Sequence, residues 1–292
     1  MLSDNRWFTE YCEEAGSAHS FQIEAKLHEE QTSYQKIEIY ETTHFGRVMV
    51  IDGFIMLSAR DNFIYHEMLA HPVLYIHEAP KRVAIVGGGD CGTLNEVLKH
   101  PEVEQVTLID IDERVVRLSE VHFPELCGRN DDPRTGFCFT DGCGWMKVAP
   151  PESLDVIIVD STDPIGPGEV LFSGEFYSAC EKTLKNGGLL IQQSESPLLH
   201  MDILRGMYRE MKGAGFSHQK SLFFPLSVYP SGWWSATMAR KGEPIGGFRE
   251  EDVDNQPFET RYYNRDIHRG AFCAPEFFYR NLARSSPDQS PS

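Results

Sequence analysis

Between residues 82 and 211 short apolar runs alternate with amphipathic stretches, and no other feature of the chain constrains its fold as much. Residues 82–86 and 106–109 have the length and continuous apolarity of strands buried on both faces. Between them, 93–100 sets Leu94, Val97 and Leu98 on one helical face. A helix at 113–121 follows, then strands at 136–139 and 154–159, and a helix around 176–184. The turn Asn186-Gly187-Gly188 leads to a strand at 189–192, and a helix runs through 203–211. Strands separated by helical crossovers pair in parallel, so the expected class is α/β, a Rossmann-like doubly wound, mostly parallel sheet.

The segment before it follows a different period. Residues 20–28 alternate, 34–40 set Ile37 and Ile39 against Glu38 and Tyr40, and 47–51 run through the turn Asp52-Gly53 into 54–57. This predicts a small antiparallel β domain over 1–75, with helical character from Ile64 through Met68, Leu69 and Pro72 toward Tyr75. The α/β domain spans 76–292, and the polar, proline-containing stretch 284–292 reads as a frayed tail.

In open parallel sheets ligands bind beyond the carboxyl ends of the strands, and here those ends are acidic. The first strand gives Gly87-Gly88-Gly89-Asp90-Cys91-Gly92, the second Asp110-Ile111-Asp112, the third Asp141-Gly142, and the fourth Asp160-Ser161-Thr162-Asp163. Gly87, Gly89 and Gly92 satisfy the dinucleotide spacing G-x-G-x-x-G. Asp90, however, would put a carboxylate in a loop that must cradle a pyrophosphate. A nucleoside without phosphate fits better, with ribose hydroxyls for an acid at the second strand end, an adenine amine for Asp141 and a sulfonium cation near Asp90. Asp160 and Asp163 form a pair able to hold an amine cation and accept its proton, and Pro164-Ile165-Gly166-Pro167-Gly168 suits a loop covering the site.

Charge narrows the partners further. The chain has 292 residues with 27 Lys plus Arg against 44 Asp plus Glu, a formal charge of −17. That sign opposes nucleic acids and anionic membranes and suits cationic ligands. No apolar run approaches the ~20 residues that span a bilayer, and the first twenty residues contain no signal-peptide core, so a cytoplasmic location is expected. Seven scattered cysteines read as free thiols, and without a Cys-x-x-Cys or His pairs at i, i+4 no metal is expected.

Taken together, Arg6-Trp7-Phe8, Tyr34-Gln35-Lys36-Ile37, Phe45-Gly46-Arg47-Val48-Met49, Tyr65-His66-Glu67-Met68, Gly87 to Asp90, Asp160 to Gly168, Gln193-Ser194-Glu195, Tyr229-Pro230-Ser231-Gly232 and Arg261-Tyr262-Tyr263-Asn264 resemble the polyamine aminopropyltransferases, specifically the bacterial spermidine synthases. The resemblance covers nearly the whole chain. It implies a class I methyltransferase-like catalytic domain after a β domain, and transfer of an aminopropyl group from decarboxylated S-adenosylmethionine to putrescine. The products would be spermidine and methylthioadenosine, the donor a co-substrate with no separate cofactor, and the assembly a homodimer or homotetramer. Carried over by motif, Gln35, Gly87, Asp90, Asp110, Asp141, Gly142 and Pro167 would bind the donor. Tyr65, His66, Asp163, Gln193 and Tyr229 would line the acceptor channel, with Trp7 near its far end. Asp160 would be the base, assisted by Tyr65 and Asp163.

The chain departs from the family pattern at Cys91, Asn95, Met56, Ala59 and Asn62, which bear on donor affinity and acceptor choice. Met56 could favour a longer diamine such as cadaverine. Three alternatives differ in what they require. A putrescine N-methyltransferase would bring the carboxylate of intact S-adenosylmethionine against Asp90. A polyamine-binding protein would need no proton acceptor, and a dehydrogenase would need a loop hospitable to pyrophosphate.

Overall fold

The structure, a computed structural model, describes residues 6–13, 15–164 and 166–283, with only the backbone of Pro167. The expected tail at 284–292 lies outside the described residues.

Strands β1 (Trp7–Cys12), β2 (Ser17–Gln31), β3 (Lys36–Thr42), β4 (Gly46–Ile51) and β5 (Phe54–Ser58) form an antiparallel sheet in chain order. Pairing of consecutive strands follows from short connections, which leave no room for crossovers. Ile37, Ile39, Met49, Ile51 and Leu57 are buried in one cluster with Val115, Leu118 and Phe123. That cluster ties the sheet to the α/β unit.

Helix α1 (Asn62–Ile76) leads into the larger sheet, and almost every one of its residues is buried. It packs against four strands of the large sheet and against α2 and α7, which buries it all round, its polar Asn62, His66, Glu67 and His71 included. The chain then alternates as β6 (Arg82–Gly87), α2 (Gly92–Val97), β7 (Gln105–Asp110), α3 (Glu113–His122), β8 (Thr135–Phe139), α4 (Gly142–Val148) and β9 (Leu154–Asp160). After a short 3-10 segment at Gly166–Phe172 come α5 (Gly174–Thr183), β10 (Leu184–Gln193) and α6 (Met201–Gly213). The remainder is β11 (His218–Pro225), β12 (Trp233–Arg240), α7 (Glu250–Asp254), α8 (Arg265–Ala271) and α9 (Glu276–Leu282).

The seven-stranded order is β11-β12-β10-β9-β6-β7-β8. Pairs β10–β9, β9–β6, β6–β7 and β7–β8 are parallel, while β12 runs antiparallel to β10 and β11. The expected doubly wound sheet is therefore present, with one reversed strand near its edge. The expected turn at 186–188 is an irregularity inside β10, where the register shifts between Leu184 and Leu189. Among the described residues no helix is long and apolar enough to cross a membrane.

Candidate active site

The four acidic strand ends converge because adjacent parallel strands finish at one edge. Gly87 on β6 pairs with Asp160 on β9, and Asp110 on β7 with Phe139 on β8. Gly87 (φ 81°) must be glycine: a Cβ there would lie 2.2 Å from the Asp160 carbonyl oxygen. The next amide, Gly88 N–H, donates to that carbonyl at 2.7 Å. The glycine loop is thus pressed onto the end of β9, and it carries Asp90 toward Asp160.

Asp160 is held by two hydroxyl donors. Tyr65 Oη donates to its Oδ1 at 2.7 Å and Thr93 Oγ1 to its Oδ2 at 2.6 Å. Burial and the neighbouring Asp90 raise its pKa to about 6 against the opposing pull of His66, Thr93 and Tyr65. Asp90 accepts from Gly92 N–H at 2.7 Å through Oδ1, and its Oδ2 lies 3.2 Å from His66 Nε2. Burial works against its charge, but His66 and the Gly92 amide outweigh burial and hold it below the usual carboxylate range.

Asp110 is raised to about 6, chiefly by burial and despite accepting the Asp112 amide at 2.9 Å. Asp112 serves the site indirectly. It caps α3 through the Arg114 amide and receives Gln35 Nε2 at 3.2 Å and Thr32 Oγ1 at 2.7 Å, fixing a loop of the β domain over the strand ends. Asp141 caps α4 by accepting from the amides of Cys143 and Gly144.

These groups line two cavities that share Phe54, Met56, Tyr65, Ser161, Thr162, Asp163 and Tyr229. The first is bordered by Gln35, Gly87 to Asp90, Asp110, Asp141, Gly142 and Asp160, with apolar walls from Met49, Ile51, Val115 and Leu171. It has the chemistry of a nucleoside site: apolar faces, separate acids and, among the described residues, no basic side chain in its lining. The second is bordered by Glu10, Cys12, Asp163, Gln193, Glu195, His200, Tyr229 and Trp234. Tyr229 packs on Trp234 with ring centroids 4.6 Å apart and donates to the Met56 carbonyl at 2.5 Å. An aromatic wall beside carboxyls suits an alkyl chain ending in ammonium groups.

Two residues named from the sequence do not line either cavity. Trp7, the first residue of β1, borders neither cavity, whereas Glu10, Tyr11 and Cys12 further along the strand border the second. His66 lies behind Asp90, under Gly92, where a Cβ would meet its ring at 2.1 Å. It touches the site through Asp90. The side chain of Pro167 lies outside the described residues. Conversely, Thr93, Glu10, Glu195 and His200 border or brace the site without a sequence signal for such a role. Glu195 alone of the four belongs to a motif, Gln193-Ser194-Glu195.

A protein-family model described as "Spermine/spermidine synthase domain" matches residues 62–245, and one described as "Spermidine synthase tetramerisation domain" matches 6–59. The chain is 59% identical over 278 residues to a polyamine aminopropyltransferase of Methylococcus capsulatus, covering 95% of this chain and 97% of that one. It is also 59% identical over 283 residues to one from Thioalkalivibrio sulfidiphilus, covering 97% and 99%. Among solved structures, a spermidine synthase in complex with the transition-state analogue AdoDATO superposes with a TM-score of 0.91 at 35% identity, over 96% of this chain and 95% of that one. The spermidine synthase of Thermotoga maritima gives 0.89 at 35% identity, covering 94% of each.

Proposed function

This chain belongs to the polyamine aminopropyltransferase family and is an aminopropyltransferase enzyme; from that premise we propose that it transfers the aminopropyl group of decarboxylated S-adenosylmethionine to putrescine, giving spermidine and methylthioadenosine. The observation that carries this reading is the position of Asp160, buried beside the junction of two cavities and held by two hydroxyl donors. The donor occupies the first cavity, with Asp110 on its ribose, Asp141 and Gly142 at its adenine, Gln35 above it, and Gly87 with the neighbouring loop at the sulfonium end. Asp90 and Asp160 hold the aminopropyl ammonium. The acceptor extends through the second cavity past Tyr65, Tyr229 and Gln193 toward Asp163.

A primary ammonium with a pKa near ~10.4 has no lone pair to attack with at neutral pH. One proton must leave before the carbon–sulfur bond breaks. Asp160 is the base: a carboxyl raised to about 6 is ionised at neutral pH yet basic enough to take a proton from a desolvated ammonium. Tyr65 and Thr93 keep its oxygens oriented. The freed amine attacks the aminopropyl carbon in line with the sulfonium, which leaves as a neutral thioether, so the step needs neither a covalent intermediate nor a cofactor. Alignment is then the main catalytic contribution, and orientation of this kind is worth up to ~7–11 kcal/mol. Because residues 6–59 match the tetramerisation domain, the working form is a homo-oligomer.

The test is product analysis by mass spectrometry after incubation with decarboxylated or intact S-adenosylmethionine against putrescine, cadaverine, agmatine and spermidine. Methylthioadenosine plus spermidine from putrescine, formed roughly 10²- to 10⁴-fold more slowly by Asp160→Asn, is the expected outcome. Methylated amine would overturn the reading, as would absence of turnover with every pair.

A further inference from the structure

Asp61 stands at the N-cap of α1, yet its carboxylate makes no capping bond to that helix. Aspartate is among the residues best suited to accept from the amides of a first helical turn. Here the side chain is turned to other partners. Oδ1 accepts from Ser58 Oγ at 2.6 Å, and Oδ2 accepts from Ser227 Oγ at 2.8 Å and from the Val228 amide at 3.1 Å. Ser58 is the last residue of β5, whereas Ser227 and Val228 belong to the connection between β11 and β12. Asp61 is only 6% exposed, so these donors replace the water that a carboxylate would otherwise require.

The next residue of that connection is Tyr229, whose hydroxyl donates to the carbonyl of Met56 on β5. Two sets of bonds therefore join the same two segments, one from Asp61 to 227–228 and one from Tyr229 back to Met56. Four residues beyond Asp61, about one turn along α1, Tyr65 donates to Asp160 and sets its ring 6.1 Å from that of Tyr229. Met56, Tyr65 and Tyr229 border both cavities, whereas Asp61 borders neither. A carboxylate outside the cavities thus fixes the ring that walls the acceptor path against the helix that orients the base. Leu226 and Val228 are buried and hold the connection to the core, but apolar contact is non-directional and does not set its register as hydrogen bonds do. A further contact, His19 Nε2 at 3.1 Å from the Ser227 carbonyl, is exposed.

We propose that Asp61 is a positioning residue for the acceptor: by tying the β11–β12 connection to the start of α1, it fixes Tyr229 relative to Tyr65 and so sets the discrimination between diamines of different length. This inference rests on the aminopropyl-transfer reading and adds to it a residue that acts without touching either substrate. With the tie cut, Tyr229 keeps its place in the sequence but not its place on the wall, and the path accommodates diamines less selectively.

The experiment measures kcat and KM for putrescine and for cadaverine at saturating donor, in wild type, Asp61→Ala, Asp61→Asn and Ser227→Ala, with the inhibition constant of methylthioadenosine alongside. Asp61→Ala should raise the putrescine KM by roughly ten- to a hundredfold, the range for hydrogen bonds to a charged group, and narrow the kcat/KM ratio between the two diamines, whichever wild type favours. Methylthioadenosine, whose proposed contacts at Asp110 and Asp141 lie on other strand ends, should keep its inhibition constant. Asp61→Asn retains an oxygen for the Val228 amide while losing the charge, so it should restore the discrimination and most of the KM. If the charge itself acted on the diamine, Asn would behave as Ala, and that result overturns the positioning role. Ser227→Ala deletes one donor to Oδ2 at an exposed position, so it answers the question if Asp61→Ala folds poorly; a KM rise of roughly a few-fold with the same narrowing is expected. A lower kcat or melting temperature with KM and the diamine ratio unchanged marks a merely structural residue and overturns the proposal. Wild type that makes no aminopropylated amine would refute the transfer reading itself. Transfer with unaltered KM and discrimination in Asp61→Ala and Ser227→Ala would refute only the role of Asp61.

Discussion

Asp160 pits stability against function within one side chain. Its ordinary carboxyl value is near 3.8, and the fold raises it to about 6, chiefly by burial and by Asp90. A carboxyl raised on folding is costly when ionised: the cost is absent below the unfolded value and complete above the folded one. At pH 7.5 Asp160→Asn removes a penalty on the order of 3 kcal/mol while losing the base. The amide can still accept from Tyr65. The variant should therefore melt several degrees higher than wild type at pH 7.5, lose that advantage near pH 4, and turn over 10²- to 10⁴-fold more slowly. Equal melting temperatures at pH 7.5 would mean that Asp160 is not raised. Thr93→Val tests the same carboxyl from the other direction. Deleting the 2.6 Å donor to Oδ2 disfavours the ionised form, so the acid limb of kcat/KM should move upward from about 6 by roughly one unit. A limb that stays in place would detach that titration from Asp160.

At the scale of elements, the site depends on how closely α1 approaches the start of α2. His66 on α1 lies under Gly92, the first residue of α2, and an alanine Cβ would sit 2.1 to 2.5 Å from three ring atoms. Gly92→Ala must push the two helices apart and shift Asp90, whose Oδ1 is held by the Gly92 amide. Overpacking of this kind costs about 1–3 kcal/mol. Thermal melts of Gly92→Ala, His66→Ala and the double variant should show the double variant losing less than the sum of the single losses, since the cavity left by His66 receives the methyl. Strict additivity would argue that α1 and α2 do not share this contact.

The same scale explains what was legible in the sequence. Asp90, Asp110, Asp141 and Asp160 announce themselves because each follows an apolar run that must be a buried strand, and parallel strands end together. Glu10 gives no such signal: β1 is an edge strand of a different sheet, and only the tertiary fold carries its carboxyl to the cavity beside Asp163. His66 misleads for a related reason. It neighbours Tyr65 in sequence, but one residue along a helix is a turn of about 100°, enough to put one ring beside Asp160 and the other behind Asp90. Strands β11 and β12 lie outside the strand–helix alternation because β12 runs antiparallel to both its neighbours.

Over the whole molecule, a formal charge of −17 acts on ligands before they touch any particular residue. At neutral pH both proposed substrates are dications, the donor through its sulfonium and ammonium, the acceptor through two ammoniums. Acidic strand ends such as Asp90 and Asp160 direct that field into the cavities. The field decays over roughly 10 Å at 0.1 M salt and over about 3 Å at 1 M. Raising sodium chloride from about 0.02 to about 0.5 M should therefore lower kcat/KM for putrescine several-fold, with the loss in KM. Methylthioadenosine provides the internal control. It fills the nucleoside site without net charge, so its inhibition constant should hold nearly constant over the same range. If both constants weakened in parallel, the salt would be altering the fold or assembly. If neither moved, the surface charge would play no part in substrate capture, leaving recognition to the buried carboxyls alone.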